Sequence, residues 1–222
     1  MLIGIDRVIV PIEAGERDAL SQRLVDAGLV YTGDTGLESH PTADAHFALE
    51  GGGFVELVWE REPGASPFRN LFDGMPRVAG LGFTSDDFDA DRQRFAGEKD
   101  AWLWERSDED EGGASRSAGP AIVGSEDPYL FLIDGLRLPY ADSGGEGRLT
   151  EIVIEGTAVS AARRRYMESL AVTFNDDQFV VGGTTVRFRQ KDGVSIANSL
   201  TVEGARIDDE LQFSRGAISF KR

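Results

Sequence analysis

The sequence predicts an α+β fold of repeated β-α-β-β-β modules. Three observations predict it. Strand-like runs rich in β-branched residues are followed by stretches with apolar residues at helical spacing, and then by further short strand-like runs. That order recurs along the 222 residues at a period of about seventy. Loops containing Pro, Gly or acidic residues separate the passes. Units that recur in this way are duplicated modules packed sheet to sheet.

The first module is expected at residues 1–62. Ile3–Pro11 reads as its opening strand, and Gly15–Ala27 as a helix with Leu20, Leu24, Val25 and Ala27 at helical spacing, stopped by Gly28. Leu29–Thr32, His46–Leu49 and Phe54–Glu60 follow as strands, with Gly51, Gly52 and Gly53 turning between the last two. The second module, residues 76–139, opens with a strand at Val78–Ser85 and a helix at Asp86–Gly97, whose first residues Asp86 and Asp87 are capping types. Strands at Ala101–Glu105, Ala121–Val123 and Tyr129–Ile133 complete it, and the acidic tract Ser107–Gly119 reads as a solvated loop. The third unit, residues 147–222, has a strand at Arg148–Glu155 and a helix at Val159–Leu170. Strands are expected at Gln178–Val181, Thr184–Arg189, Ser195–Val202 and Ala217–Lys221.

Composition narrows the partners. Asp and Glu number 39 against 23 Lys and Arg, a net charge of −16, so phosphate backbones and anionic membrane surfaces are repelled. Only Lys99, Lys191 and Lys221 are lysine among the basic residues, a pattern that fits salt adaptation or a GC-rich coding sequence. The chain has no cysteine, hence no disulfide, thiolate nucleophile or zinc-thiolate site. Asp6 and Arg7 interrupt the first apolar stretch, and no run approaches the roughly 20 apolar residues of a membrane helix. The expectation is a cytoplasmic protein with a small-molecule ligand, no nucleic acid or membrane partner, and a homodimer as an open option.

Several short motifs resemble the glyoxalase-like proteins of the vicinal oxygen chelate superfamily. Ile5-Asp6-Arg7-Val8-Ile9-Val10-Pro11 resembles the opening strand of that group except that Arg7 stands where the group has histidine. Asp26-Ala27-Gly28-Leu29, His40-Pro41 and the closing strand Phe54-Val55-Glu56-Leu57-Val58 continue the resemblance. Leu81 to Asp89 and Tyr129 to Ile133 resemble the opening and closing strands of a second module. The resemblance implies that the modules form curved mixed sheets around a cup and, in metal-using members, a divalent ion held by His, Gln or Glu on opening and closing strands, acting as a Lewis acid on adjacent substrate oxygens.

That ligand set is largely missing here. Arg7 is permanently cationic and cannot ligate. The second module offers Ala79 or Gly80 and then Phe131, none of them a ligand, so Glu56 and Glu151 are the metal candidates that remain. Two carboxylates fall short of the three or four ligands a site normally has. Period-two alternation places Ile5, Arg7 and Ile9 on one face of the opening strand and Phe54, Glu56 and Val58 on one face of the closing strand. Arg7 and Glu56 then meet, either as a structural ion pair or as a fixed guanidinium for a ligand carboxylate or enolate, with Glu56 as its holder or a proton acceptor. His40 and His46, the only histidines, are candidates for the cup lining, general base or metal ligand, set against ordinary surface histidines. Trp59, Trp102, Trp104 and Phe131 are either pocket aromatics or inter-sheet core.

The residues expected to carry chemistry are thus Arg7, His46 and Glu56. Ile9, His40, Phe54, Phe131 and Glu151 join them as candidate ligand contacts. The leading expectation is a small-molecule binding protein or metal-independent enzyme without a cofactor. The alternatives are a divalent-metal lyase, isomerase or dioxygenase, and a non-catalytic scaffold that dimerises.

Overall fold

A computed structural model describes residues 1–34, 42–62, 80–95, 102–108, 113–119, 129–134, 144–155, 161–189, 198–213 and 216–222. The first eight strands are β1 (Leu2–Pro11), β2 (Val30–Gly33), β3 (Thr42–Ala48), β4 (Phe54–Glu60), β5 (Gly80–Ser85), β6 (Trp102–Asp108), β7 (Gly113–Gly119) and β8 (Tyr129–Asp134). Six more follow: β9 (Arg148–Glu155), β10 (Gln178–Val181), β11 (Thr184–Arg189), β12 (Asn198–Glu203), β13 (Asp209–Phe213) and β14 (Gly216–Lys221). The helices are α1 (Arg17–Asp26), α2 (Phe88–Gln93) and α3 (Ala161–Ser169), with a short 3₁₀ turn at Ala14–Glu16 leading into α1.

The local sequence explains the helix ends. Leu20 and Leu24, one turn apart, turn inward on α1. Gly28 then takes φ 100°, which lets the amides of Gly28 and Leu29 donate back to the carbonyls of Val25 and Leu24 and stop the helix. In α2 the Asp87 carboxylate accepts from the Ala90 amide at 3.0 Å and caps the first turn. Asp86, the other expected cap, instead binds the amino group of Met1. On α3, Tyr166, Met167 and, just beyond its end, Leu170 face inward, while Arg165 stays exposed.

The strands form two curved mixed sheets, one of eight in the order β2-β3-β4-β1-β5-β8-β7-β6 and one of six in the order β10-β11-β9-β12-β14-β13. Both centre on the same arrangement. In the first, β1 runs parallel to β4 and antiparallel to β5, which runs parallel to β8. In the second, β9 runs parallel to β11 and antiparallel to β12, which runs parallel to β14. The inner faces meet with the helices in one core, which includes Val8, Val55, Leu81 and Phe83 of the first sheet and Ile152, Val186, Leu200 and Ile218 of the second. Phe83 lies 6.3 Å from Phe179 of β10, ring to ring, across the seam. The other face of each sheet points away from this core, and on the first sheet that face is the expected cup.

Two expectations are corrected. The tract Ser107–Gly119 is not all loop, because Gly113–Gly119 pairs as β7 with β6 on one side and β8 on the other. Its Gly, Ala and Ser have weak strand preference, but burial of Ser117 and Ala118 between two paired strands overrides it. The edge strand β13 had no sequence signal, since its inward positions Leu211 and Phe213 alternate with Glu210 and Gln212 over only five residues. The expected strand Ala121–Val123 lies outside the described residues.

Candidate functional site

The first cup is organised by the pairing of β1 with its two neighbours. Arg7 stands opposite Phe54 on β4 and opposite Gly82 on β5. Glu56, two residues beyond Phe54, stands opposite His46 on β3. Between the pairs Ile5–Phe83 and Arg7–Gly82 the register skips one residue, so Asp6 is the extra residue of a β-bulge. The bulge changes which side chains share a face. Ile5, expected beside Arg7, instead packs against the core, while Asp6 comes alongside Arg7.

The result is a buried charged cluster. Arg7 donates from Nε to Asp6 Oδ1 at 2.8 Å and from Nη1 to Glu56 Oε2 at 3.0 Å. The imidazole of His46 lies between two carboxylates, with Nε2 3.5 Å from Glu56 Oε2 and Nδ1 3.5 Å from Asp44 Oδ2. Those separations are too long for full hydrogen bonds. Among the described residues, neither nitrogen of His46 nor Arg7 Nη2 has a hydrogen-bond partner, although all three atoms are buried and the side chains of His46 and Arg7 are only 2% and 9% exposed. Phe54 closes one side of the imidazole edge-on, with ring centroids 6.2 Å apart.

Charge in this environment is set by competition between burial and neighbours. Burial is the strongest influence on Glu56 and acts to raise its pKa, but the Arg7 guanidinium and His46 outweigh it and hold the carboxyl at about 2. Burial would lower Arg7, yet Glu56 and Asp6 together push it above the ordinary guanidinium value. Asp6 moves the other way from Glu56, raised by burial that Arg7 only partly offsets. Glu56 is thus an anchored carboxylate and a poor proton acceptor.

Glycine makes room for the cluster. A Cβ at Gly82 would lie 2.9 Å from Arg7 Cγ and 3.0 Å from the Phe131 ring, so the bare backbone of β5 is what lets Arg7 and Phe131 pack over it. Gly80 does the same for Ile9 and Tyr129, and Tyr129 stacks on Phe131 at 4.8 Å. Gly82→Ala is expected to cost about 1–3 kcal/mol through overpacking. Urea denaturation checks this, and an unchanged midpoint would show slack in the cup floor.

Most of the expected residues converge here, namely Arg7, Ile9, His46, Phe54, Glu56 and Phe131. Glu151 does not. It projects from the outer face of the second sheet, where Arg187 Nη2 pairs with it at 3.2 Å, so it cannot join Glu56 at one ion as expected. His40 lies outside the described residues, as does Ala79, and nothing is described of the side chains of Trp102 and Trp104. Trp59 faces the core side, under the Arg17 guanidinium. Sequence reasoning missed Asp6 and Asp44. The signal for Asp44 was present, since it lies two residues before His46 on one strand and so shares its face. Asp6 gave none, because the bulge that turns it toward Arg7 arises from pairing with β5.

The cluster also contains a set of metal-ligand types. Asp44, His46 and Glu56 each offer a ligand atom, all within 4.8 Å of one another. One nitrogen and two carboxylate oxygens suit a hard or borderline divalent ion. Three carboxyl groups stand against one guanidinium, and His46 has unmet nitrogens, so the donor set fits a cation even though Arg7 already holds Glu56.

No family model matches the sequence, and no curated protein does. Solved structures do match. A hypothetical protein from Staphylococcus aureus is 11% identical with TM-score 0.67, covering 99% of each chain. A mutant of 4-hydroxymandelate synthase from Streptomyces coelicolor is 15% identical with TM-score 0.58, covering 94% of this chain and 72% of its own. A xylose isomerase-like TIM barrel/4-hydroxyphenylpyruvate dioxygenase fusion protein is 14% identical with TM-score 0.61, covering 94% of this chain and 37% of its own. At these identities what is shared is the fold, that of the vicinal oxygen chelate proteins. Among the described residues no helix is long and apolar enough to cross a membrane.

Proposed function

We propose that the first cup binds a small molecule carrying a carbonyl or enolate oxygen, without a metal. The observation that supports this most directly is the set of buried, unmet polar atoms, Arg7 Nη2 and both nitrogens of His46. Buried polar groups in folded proteins are hydrogen-bonded, and each unmet one costs about 1–3 kcal/mol, so such a group marks a place where a partner belongs. Asp6 and Glu56 fix the guanidinium from two sides and leave Nη2 to donate to a ligand oxygen. His46 is placed to exchange a proton with a neighbouring ligand carbon or hydroxyl, and Glu56, held at about 2, anchors Arg7 instead of titrating. If the protein is an enzyme, this is the apparatus of a lyase or isomerase acting beside a carbonyl.

A second reading rests on the Asp44, His46 and Glu56 grouping. Those three residues would hold a divalent ion, which supplies Lewis-acid polarisation of a substrate oxygen. Protein purified without chelator separates the two readings when its metal content is measured and its melting is followed with hydroxyacetone, pyruvate and glycolate. The first reading expects no stoichiometric metal, together with a ligand-induced rise in Tm that Arg7→Leu abolishes. One ion per chain, lost in Glu56→Gln, would replace the first reading with the second. Absence of both metal and ligand stabilisation would leave a non-catalytic scaffold.

A further inference from the structure

The construction of the first cup is reproduced on the second sheet with its charges exchanged. The register of β9 against β12 passes from Glu151–Thr201 to Leu149–Val202 and skips Thr150, just as β1 against β5 skips Asp6. In both opening strands the bulge immediately precedes the charged residue. That residue then reaches diagonally to the parallel closing strand. Arg7, opposite Phe54, reaches Glu56; Glu151, opposite Thr185, reaches Arg187. The acid and the base have traded strands. Gln178, opposite Arg187, occupies the place that His46 holds opposite Glu56.

The outer face of the second sheet shares a further property with the first cup. Arg187 Nε is buried without a hydrogen-bond partner among the described residues, as Arg7 Nη2 is. Yet the Arg187 and Glu151 side chains are 37% and 33% exposed, so the pair is reachable from outside. Around it the face carries Val153 directly opposite Arg187, Ala217, and the short hydroxylic side chains Thr185, Thr201, Ser199 and Ser219, where the first cup has Phe54 and Phe131. A repeated bulge, a repeated diagonal pair and a repeated unmet guanidinium N–H are more than a solvated ion pair requires.

We infer that the outer face of the second sheet is a second binding site, for a neutral ligand with adjacent hydroxyl oxygens, a polyol or a sugar. The chemistry follows from the pair. One ligand oxygen accepts from Arg187, and its neighbour donates to Glu151. An anion drawn to Arg187 would be repelled by Glu151 beside it, so the pair selects against net charge. The floor hydroxyls donate and accept, matching further ligand hydroxyls. Gln178, unlike His46, exchanges no protons, so the site is assigned to binding. The inference stands on the second sheet alone and does not depend on what occupies the first cup.

Amide chemical shifts during titration of the full chain with D-glucose and glycerol test it, with gluconate as the anionic counterpart. Saturable shifts are expected at residues 148–155, 178–189, 198–203 and 216–221. Arg187→Met and Glu151→Gln are each expected to weaken binding at least tenfold while the spectrum keeps its native dispersion, because the pair is partly exposed. Shifts that rise linearly without saturating, that persist unchanged in both variants, or that are stronger with gluconate than with D-glucose would overturn the site.

Discussion

Replacing Arg7 by leucine is expected to destabilise the protein by about 3–5 kcal/mol at neutral pH, because it strands Glu56 and Asp6 as buried carboxylates with no cation between them. The pH dependence carries the sign of the mechanism. In the native protein Glu56 is held at about 2 against an ordinary 4.5. A depressed folded value contributes stability that is fully present above the ordinary value and is lost as pH falls toward about 2, here about 3 kcal/mol. Asp6 is raised on folding, so it acts oppositely and becomes less of a burden as pH falls through its folded value. Without Arg7 both carboxyls move upward, since burial is no longer opposed by the guanidinium. The deficit of the variant is therefore largest near neutrality and shrinks as pH falls through the raised values of its two carboxyls and on toward about 2, where Glu56 of the native protein protonates as well. Urea denaturation of both proteins across this range measures it. A deficit below about 1 kcal/mol, or one that does not change with pH, would remove the cluster from the account of stability.

Phe179→Ala is expected to cost about 3–5 kcal/mol by a different route. Phe179 is 2% exposed and touches rings from both sheets, with Phe174 at 5.2 Å and Phe83 and Phe188 each at 6.3 Å. Its removal leaves a cavity at the seam where the inner faces meet, bounded by paired strands that have little freedom to collapse inward. This loss should vary little with pH, in contrast to that of Arg7→Leu, because what is removed is packing among the aromatic rings of Phe83, Phe174 and Phe188. Denaturation at two pH values gives both the size and the contrast. A loss below about 1 kcal/mol would mean that the seam closes around the smaller side chain.

The site was legible in part, for identifiable reasons. Arg7 and Glu56 could be paired from alternation on two strands, and the structure places them 3.0 Å apart. Ile5 was assigned to the wrong face because a bulge reverses alternation and leaves no mark in composition. Glu151 looked equivalent to a cup residue because its strand opens a module as β1 does, but that module builds the second sheet and pairs Glu151 with Arg187. Gly113–Gly119 was read as loop for its composition, and two partner strands decided otherwise.

The sequence by itself determined the alternation of strand and helix, the class of fold, the acidic shell with its net charge of −16, and the presence of one cation on the opening strand. These follow from local periodicity and from charge counting, which need no knowledge of neighbours. Tertiary structure alone decided that β5 presents glycine under Arg7, that Asp6 turns toward the guanidinium, that Asp44 and Glu56 flank His46, and that the arrangement recurs inverted on the second sheet. Each depends on register between strands far apart in the chain, and a shift of one residue in that register would turn every one of these side chains to the opposite face.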